Sequence, residues 1–407
     1  MCVINKYSSV RRTCVMCYTF LMKQELLIEK CNAFLDDIMN LNDLPGLAIG
    51  VSAGDAGELS EFIGVRGYRD FAARDPLRED TVFHCASVSK LFTSSAVMKL
   101  VEEGVLSLDD RLCELLPDLR IEDGRFRDIR LWNMLTHTSG LGDVDDYHWY
   151  DFETDGDSLR RYVLGSEEVL NQPMLWNPQE YPDAEESRFR YSNVAYEILG
   201  HIVSEYSDRM PSADGSLSYE DFVTRYLLNP AGMSSSTMKT FERPGAPDFK
   251  ANEGMALPHE KKPDRSIGPV EFYPYTRQHA PSSTLTSNAG DLLRWGRAHM
   301  ASAAGSGPLL KPETYETIWH EYATVPNNGE KMGLGWFMRE QTAFAANEKP
   351  QAFRLCGHEG TDDGFRASFW MCPEAGIVTV VLSNLSGAPV KKINKKLFDT
   401  VIRTCAL

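Results

Sequence analysis

Two serine–lysine pairs in the chain have the spacing at which a lysine amine can reach a serine hydroxyl. In the first, Ser87 and Lys90 stand at the start of an amphipathic segment, Ser87–Glu103, that the spacing of apolar residues predicts to be a helix. Residues i and i+3 share a helix face, and a helix N-terminus supplies N–H groups and positive potential near a developing negative charge. A lysine kept neutral by desolvation and nearby positive charge can accept the serine proton. Taken alone, Ser87 also fits a plain helix N-cap.

The second pair, Ser236 and Lys239, has a weaker context. It follows the loop-like sequence Asn-Pro-Ala-Gly-Met and opens no apolar helix. We interpret this pair as a coincidence of composition.

Two further short motifs each occur once in the chain. Tyr191-Ser192-Asn193 immediately precedes a predicted helix, and His358-Glu359-Gly360 ends a predicted strand. In this order, Ser-x-x-Lys, Tyr-x-Asn and His-x-Gly resemble the signature of the serine β-lactamase and penicillin-binding-protein superfamily. The tyrosine and the histidine resemble its class C-like branch, which includes D,D-carboxypeptidases, D-aminopeptidases and esterases.

The resemblance extends over roughly residues 45–385 and is carried by several stretches outside the three motifs. These stretches are Thr81–Ser87, Leu106–Asp110, Ile129–Leu141, Pro230–Met233, Gly333–Trp336 and Gly364-Phe365. Two departures are present: Pro182–Ser187 replaces the usual Pro-Gly before the tyrosine, and His358 stands where true β-lactamases usually carry lysine. The histidine favours a peptidase or an esterase over a β-lactamase.

The resemblance implies a catalytic role for three residues. Ser87 is the expected nucleophile, Lys90 accepts its proton, and Tyr191 shares that proton and delivers it to the leaving group. Whether Lys90 or Tyr191 is the formal base is left open. A solvated lysine and a buried core tyrosine are the structural alternatives.

The family resemblance also implies a set of substrate-binding residues. Asn193 is expected to donate a hydrogen bond to a substrate carbonyl; the alternative is that it is a helix N-cap. His358 is expected to form a hydrogen bond with Tyr191 or with a substrate carboxylate; the alternative is a structural histidine. The N–H groups of Ser87 and Thr361 are expected to form the oxyanion hole. Gly360 is expected to keep the strand edge open to substrate, and His137 to brace its loop rather than act chemically.

The stretch Gly142–Asp157 contains seven acidic residues interleaved with aromatic ones. In the family this region borders the active-site cleft. It is either a solvated acidic loop or a rim that selects the substrate.

Composition limits the function classes. The net charge of −16 argues against a nucleic-acid-binding face, so we expect no nucleic-acid partner. Nine cysteines at irregular spacing favour a reducing, cytoplasmic location, although export stays open. Cys14 and Cys17 form a CxxC without a second pair to complete a metal site, so we expect neither metal nor cofactor. No apolar run is long enough to span a membrane, and the signal-peptide features before Lys23 are incomplete. The oligomeric state stays open.

The coarse pattern predicts an α/β fold, an α+β sandwich. Predicted helices are 23–40, Ser87–Glu103, Asn193–Ser207, Tyr219–Leu228, Gly290–Ala303 and 391–404; predicted strands are Gly46–Ala53, Leu59–Gly67, Gly335–Glu340, Arg354–His358, Phe365–Met371 and Ile377–Ser383. Because strands stand at both ends, we expect one antiparallel sheet flanked by helices, with an inserted and mostly helical lobe.

The predicted division is an N-terminal extension over 1–22, an α/β lobe over 23–110 plus 281–407, and a helical lobe over 111–280, with the site between the lobes. The function predicted from these features is hydrolysis of a small ester or amide through a Ser87 acyl-enzyme. An acyltransferase on the same fold and a non-catalytic sensor domain are the alternatives.

Overall fold

The computed structural model describes residues 4–54, 59–150, 155–178, 188–240, 254–326, 328–343 and 349–405, with side chains described from residue 22 onward. Its α-helices are α1 Ile4–Asn42, α2 Ser89–Glu102, α3 Leu112–Leu115, α4 Leu131–Leu135, α5 Ser158–Gly165, α6 Glu167–Leu170, α7 Asn193–Tyr206, α8 Tyr219–Val223, α9 Ala289–Ala303, α10 Pro312–Ile318 and α11 Val390–Cys405. Its strands are β1 Gly46–Ala53, β2 Ser60–Asp70, β3 Asp75–Pro76, β4 Phe83–His84, β5 His259–Lys261, β6 Ile267–Pro269, β7 Thr286–Ser287, β8 Ala323–Thr324, β9 Lys331–Met332, β10 Phe337–Ala343, β11 Gln351–Asp362, β12 Phe365–Cys372 and β13 Ile377–Ser383.

Nine strands form one antiparallel sheet in the order β3-β2-β1-β13-β12-β11-β10-β9-β8. The N-terminal strand β1 pairs directly with the last strand β13, from Leu47 opposite Ser383 to Ala53 opposite Ile377. Both strands are buried along their whole length because helices cover both faces of the sheet. The predicted sheet built from the two ends of the chain is therefore confirmed.

The two faces of the sheet contact different helices. The first and last helices, α1 and α11, pack together on one face, where Leu27, Leu35, Leu397 and Val401 belong to one apolar cluster. Helix α9 covers the opposite face against β1 and β13. The second and larger apolar cluster joins this face of the sheet to the helices of the predicted helical lobe. The division into the predicted lobes stays a prediction.

Several predicted bounds differ from the observed ones. Helix α1 begins at Ile4 rather than at residue 23. The predicted helix at Tyr219–Leu228 is α-helical only to Val223 and then continues as a π-helical turn. Strand β10 begins at Phe337 because Gly335 adopts a positive φ of 80° and turns the chain before it. The sequence also predicts a hairpin turn at Gly54–Gly57, between the first two strands, and this segment lies largely outside the described residues.

No helix within the described ranges is long and apolar enough to cross a lipid bilayer.

Candidate active site

The predicted nucleophile lies in a tight turn before α2. Residues Ala86–Val88 form one 3₁₀ turn, and Ala86 has a positive φ of 48°, a conformation that costs free energy for a residue with a Cβ. Ser89 fixes the turn, since its hydroxyl donates to the Ala86 carbonyl at 2.7 Å. The turn leaves Ser87 half-buried in the wall of a cavity.

Lys90 lies directly beside this serine and is fully buried. Its Nζ is 3.1 Å from Ser87 Oγ, 2.5 Å from Asn193 Oδ1 and 2.9 Å from the Ser282 carbonyl oxygen. Three acceptors match the three N–H donors of an ammonium group, so the amine is held in one orientation.

Burial lowers the pKa of Lys90 to about 8. The nearby charges act in the opposite direction, because the carboxylates of Glu197, Asp143 and Asp362 raise that pKa. The sequence-based expectation that nearby positive charge would help to keep the amine neutral is therefore wrong. Desolvation is the cause, and the surrounding acids limit its effect.

Tyr191 is the second group at Ser87. Its hydrogen bond with Ser87 lowers the pKa of the phenol, but burial outweighs this effect and holds the pKa well above its usual value. The Tyr191 ring lies 4.9 Å from Lys90 Nζ. The phenol is thus a proton donor at neutral pH, and it contacts the same hydroxyl as the lysine.

His137 supports the tyrosine motif from behind. Its ring lies 4.3 Å from the Tyr191 ring, and its Nδ1 accepts the backbone N–H of Ser192 at 3.2 Å. Its carbonyl accepts the N–H of Arg190. The prediction that His137 braces its loop is confirmed.

Asn193 is the first residue of α7, and Ser192 is the N-cap, with its hydroxyl accepting the Ala195 N–H at 3.1 Å. The alternative that Asn193 caps the helix is therefore wrong. Its side-chain oxygen accepts from Lys90, and its Nδ2 donates to Asp143 Oδ1 at 2.8 Å. One amide N–H is left for the predicted substrate contact.

The third motif lies on β11, next to the nucleophile turn. His358 donates from Nδ1 to the Glu359 carbonyl at 2.6 Å, so its buried Nε2 is the unprotonated nitrogen. Burial and the charge of Lys90 lower the His358 pKa to about 3, which keeps the ring neutral. The predicted His358–Tyr191 hydrogen bond is not made: Nε2 has no partner among the described residues, and the two rings are 6.2 Å apart.

Gly360 and Thr361 follow on the same strand. A Cβ at position 360 would lie 2.2 Å from the Cys85 carbonyl oxygen, so glycine is required for β11 to approach the turn that carries Ser87. This close approach is a different reason from the predicted one, an edge kept open for substrate. Thr361 is exposed and lines the same cavity as Ser87.

Sequence reasoning missed a second connection between these two segments. His84 Nε2 lies 2.7 Å from Asp362 Oδ2, and their side chains are 0% and 7% exposed. The pair joins the strand before Ser87 to the residue after Thr361. It thereby holds together the two segments whose N–H groups were predicted to form the oxyanion hole.

A buried acidic network behind Lys90 was also missed. Glu197 accepts from Ser282 Oγ at 2.5 Å and lies 3.1 Å from His279 Nδ1. The buried carboxylate therefore positions Ser282, the residue whose carbonyl oxygen accepts a hydrogen bond from Lys90. The only local signal for Glu197 is its position one helical turn after Asn193.

The second serine–lysine pair is not a dyad. Ser236 Oγ lies 2.8 Å from both Ser287 Oγ and Asp291 Oδ2, whereas Lys239 Nζ lies 2.9 Å from Asp221 Oδ2. The two side chains bind different carboxylates, which confirms the interpretation as a coincidence.

The cavity at Ser87 has a volume of about 520 Å³. Aromatic rings form much of its wall, and three carboxylates and one amine supply its charges. Its lining residues are Ser87, Tyr147, Phe189, Tyr191, Asn193, Val325, Asn328, Glu330, Phe337, His358, Glu359, Thr361, Asp362, Trp370 and Lys391. Lys391 is bound to Glu330 at 2.6 Å, so this wall offers no free positive charge to an anionic substrate.

The acidic stretch Gly142–Asp157 borders this cavity through an aromatic residue. Tyr147 lines it and stacks on Trp149 at 4.6 Å, while Asp143 lies behind Asn193. Asp155 is paired with Arg161 at 2.7 Å. Residues 151–154 lie outside the described residues, so the role of their two acids stays a prediction.

Among the described residues, no group of three or more histidine, cysteine or acidic side chains is arranged to hold a metal ion. The side chains of Cys14 and Cys17 lie outside the described part.

The comparisons with known proteins agree with this geometry. The Beta-lactamase family model matches residues 32–401. Penicillin-binding protein 4 of Amycolatopsis lactamdurans is 25% identical over 367 residues, which is 86% of this chain and 83% of that protein. The chain therefore belongs to the Beta-lactamase family, a family of serine hydrolases.

Solved structures show the same fold at low identity. An octameric penicillin-binding protein homologue from Pyrococcus abyssi has a TM-score of 0.70 at 22% identity, covering 91% of this chain and 76% of that one. A class C β-lactamase has a TM-score of 0.65 at 20% identity over 91% and 95% of the two chains. D-amino acid amidase from Ochrobactrum anthropi has a TM-score of 0.68 at 18% identity over 93% and 97%. The fold expected from the resemblance is thus confirmed.

Proposed function

We propose that the protein hydrolyses a small ester or amide through an acyl-enzyme on Ser87, and that it is an esterase or a peptidase rather than a β-lactamase. The observation that carries this proposal is the 3.1 Å contact between Lys90 Nζ and Ser87 Oγ in the wall of the cavity. A plain helix cap does not need a buried lysine at this place, and a binding domain does not need an amine whose pKa is lowered to about 8.

In the proposed acylation step, neutral Lys90 accepts the Ser87 proton while the serine oxygen attacks the substrate carbonyl carbon. With a pKa of about 8, about a quarter of the lysine is neutral at pH 7.5. The N–H groups of Ser87 and Thr361 stabilise the oxyanion. The direction of the pKa shifts favours Lys90 over Tyr191 as the base.

Tyr191 then has the complementary role. Its phenol remains protonated at neutral pH, contacts Ser87 and lies beside Lys90. As the tetrahedral intermediate collapses, it donates its proton to the leaving oxygen or nitrogen and regains one from protonated Lys90. Water then attacks the acyl-enzyme by the reverse proton path, which releases the acid and restores Ser87.

The charges of the cavity support an uncharged or cationic substrate. His358 is neutral, Lys391 is paired with Glu330, and Asp362 adds a further carboxylate. The D-amino acid amidase among the similar structures acts on an amide, and its fold is shared by this chain. Aromatic residues in the wall, such as Phe337, suit an apolar acyl group.

The test is covalent labelling with a fluorophosphonate, followed by peptide mapping of the intact protein and of the Ser87→Ala and Ser236→Ala variants. We expect a single adduct on the peptide that contains Ser87, present in the Ser236→Ala variant and absent in Ser87→Ala. An adduct on another serine would refute the assignment, as would the absence of labelling in protein that hydrolyses esters.

A further inference from the structure

One carboxylate of the active-site cavity lacks a lysine or arginine partner. The lining contains the carboxylates of Glu330, Glu359 and Asp362. Lys391 is bound to Glu330 at 2.6 Å, and an Arg339 nitrogen lies 3.6 Å from Glu359. Within the described part of the chain, Asp362 forms an ion-pair contact with a histidine only. Its charge is therefore available to a molecule that binds in the cavity.

The histidine in question, His84, does not neutralise Asp362. Its Nε2 lies 2.7 Å from Asp362 Oδ2. Its Nδ1 is buried and has no hydrogen-bond partner among the described residues, so a proton there would be a buried donor without an acceptor. The geometry thus favours a neutral ring that donates from Nε2. The pair as a whole keeps the negative charge of the carboxylate.

The second oxygen of Asp362 is free. No described group donates to Oδ1, and the side chain as a whole is 7% exposed. The unpartnered Oε2 of Glu359 is completely enclosed by protein atoms, whereas Asp362 Oδ1 is not. Because Asp362 lines the cavity beside Ser87, a ligand in that cavity can reach this oxygen.

Arg366 lies near this carboxylate but does not fill its free oxygen. Its Nη1 donates to the main-chain carbonyls of Asp362 and Phe365, at 2.7 Å and 2.6 Å. Burial lowers the pKa of the guanidinium, and the charges of Asp362 and Asp363 raise it. The arginine is thus attracted to both acids and still binds main-chain oxygens instead of either side chain.

The surroundings of Asp362 suit a cation. Burial, and after it the charge of Asp362, raises the pKa of the Tyr147 phenol well above its usual value, so this ring is within range of the carboxylate. Further rings in the cavity wall belong to Phe189, Tyr191, Phe337 and Trp370. The faces of aromatic rings attract cations. The reactive form of Lys90 is neutral and does not repel one.

We propose, on the basis of the proposed hydrolase function, that Asp362 binds an ammonium group of the substrate, so that the preferred ester or amide carries an amine. The ammonium N–H donates to Oδ1 while His84 continues to hold Oδ2. A charge-assisted hydrogen bond of this kind is about twice as strong as one between neutral groups. No covalent bond changes at Asp362, which acts only in selecting and orienting the substrate.

The ammonium group has two possible sources. Asp362 follows Thr361, whose N–H is predicted to bind the oxyanion, so the carboxylate lies one residue from the expected position of the scissile carbonyl. Both the acyl part and the leaving group extend from that carbonyl. The cation therefore belongs to one of these two parts of the substrate, and the experiment distinguishes them.

The kinetic arm compares each cationic ester with an uncharged isostere in which CH replaces the N–H of a dimethylammonium group. For the acyl part, methyl esters of ω-(dimethylamino) acids of two to six carbons are compared with the matching methyl-branched fatty acid esters. For the leaving group, 3-(dimethylamino)propyl butyrate is compared with 4-methylpentyl butyrate. Acid release is followed by titration at pH 7, and the ratio of the two kcat/KM values is the amine preference.

We expect an amine preference above one in the wild-type enzyme for one of the two series, and a fall of about tenfold in Asp362→Asn. Asparagine still accepts from His84, and because both esters are measured on the same variant, a general loss of activity cancels in the ratio. Asp363→Asn is the matched control, since Asp363 is the exposed neighbouring acid and does not line the cavity. Its amine preference should equal that of the wild type.

The binding arm does not depend on hydrolysis. Amides of the same two designs are titrated into Ser87→Ala protein, with and without Asp362→Asn, and binding is followed by ligand-observed NMR. The cationic amide should bind more tightly than its uncharged isostere, and Asp362→Asn should lower that difference about tenfold.

The inference about Asp362 is overturned if neither series shows an amine preference in the wild-type protein, a comparison that needs no variant at Asp362. It is also overturned if the preference is unchanged in Asp362→Asn, or if Asp363→Asn lowers it equally, because the effect is then one of general surface charge. If no ester is hydrolysed, the hydrolase proposal fails, and the binding arm still decides whether Asp362 holds an ammonium group.

Discussion

Replacing Asp143 by asparagine should move the pH dependence of catalysis to lower pH. Asp143 and Lys90 bind opposite ends of the Asn193 side-chain amide, at 2.8 Å and 2.5 Å. The carboxylate raises the lysine pKa, which is lowered by burial to about 8. Since neutral Lys90 is the proposed base, kcat/KM should rise with pH through this pKa in the wild-type enzyme.

The size of the shift follows from the separation of the two charges. Two hydrogen bonds and one amide group place them roughly 7 Å apart, and at an effective dielectric of about 40 their attraction is about 1.2 kcal/mol, close to one pKa unit. Removing the carboxylate should therefore move the apparent pKa from about 8 to about 7. Asparagine at 143 can still accept from the Asn193 amide, so the geometry should persist.

The assay is kcat/KM for 4-nitrophenyl butyrate from pH 5.5 to 9.5, with release of the acid followed by titration. Asp146→Asn is the matched control, because Asp146 belongs to the same acidic stretch but contacts His148 rather than Asn193. If the rise of kcat/KM with pH occurs at the same pH in Asp143→Asn as in the wild type, Lys90 is not the base whose ionisation limits the rate. An equal shift in Asp146→Asn would show a general charge effect instead.

Three further predictions concern the same site. Lys90→Ala and Tyr191→Phe should each lower kcat/KM at least ~10²-fold, with a combined loss far from additive because the two groups act as one unit; a single variant with near wild-type rates would contradict this. His84→Gln should lower kcat about tenfold with little change in KM, since it releases the segment that carries Thr361; an equal loss in both parameters would instead indicate general destabilisation. Short-chain esters should be better substrates than nitrocefin, because the cavity lining has two more carboxylates than amines. Each excess negative charge near an anionic β-lactam contributes about 1 kcal/mol at ~8 Å and a dielectric of ~40, so that together they reduce its affinity more than tenfold. Low- and high-salt kcat/KM values test this last expectation, and a better rate with nitrocefin would contradict it.

The local parts of the fold could be predicted because they depend on short-range patterns. The buried strands β1 and β13 are continuous apolar runs, and α11 has an amphipathic spacing that gives nearly its full length. Element ends were less predictable. The start of β10 depends on the positive φ of Gly335, whose close neighbour is Ser94 of α2, far away in the sequence.

The family motifs located the reaction centre for a similar reason. Ser87 and Lys90 are one helical turn apart, and Tyr191 and Asn193 belong to one short segment, so each motif can be recognised without knowing the tertiary structure. Their types and order predicted the residues that the fold brings together around one cavity. Their catalytic roles stay predictions until the labelling and kinetic experiments are done.

The sequence by itself determined that strands from the two ends of the chain form the sheet, which family the chain belongs to, and where the three motifs lie. Each of these depends on residues that are adjacent or that recur periodically along the chain. Tertiary structure alone decided the electrostatics of the site. Asp143 reaches Asn193 across 50 residues, His84 reaches Asp362 across 278, and the Ser282 carbonyl reaches Lys90 across 192. A pKa depends on burial and on charges a few ångströms away, and neither quantity is defined until the chain has folded.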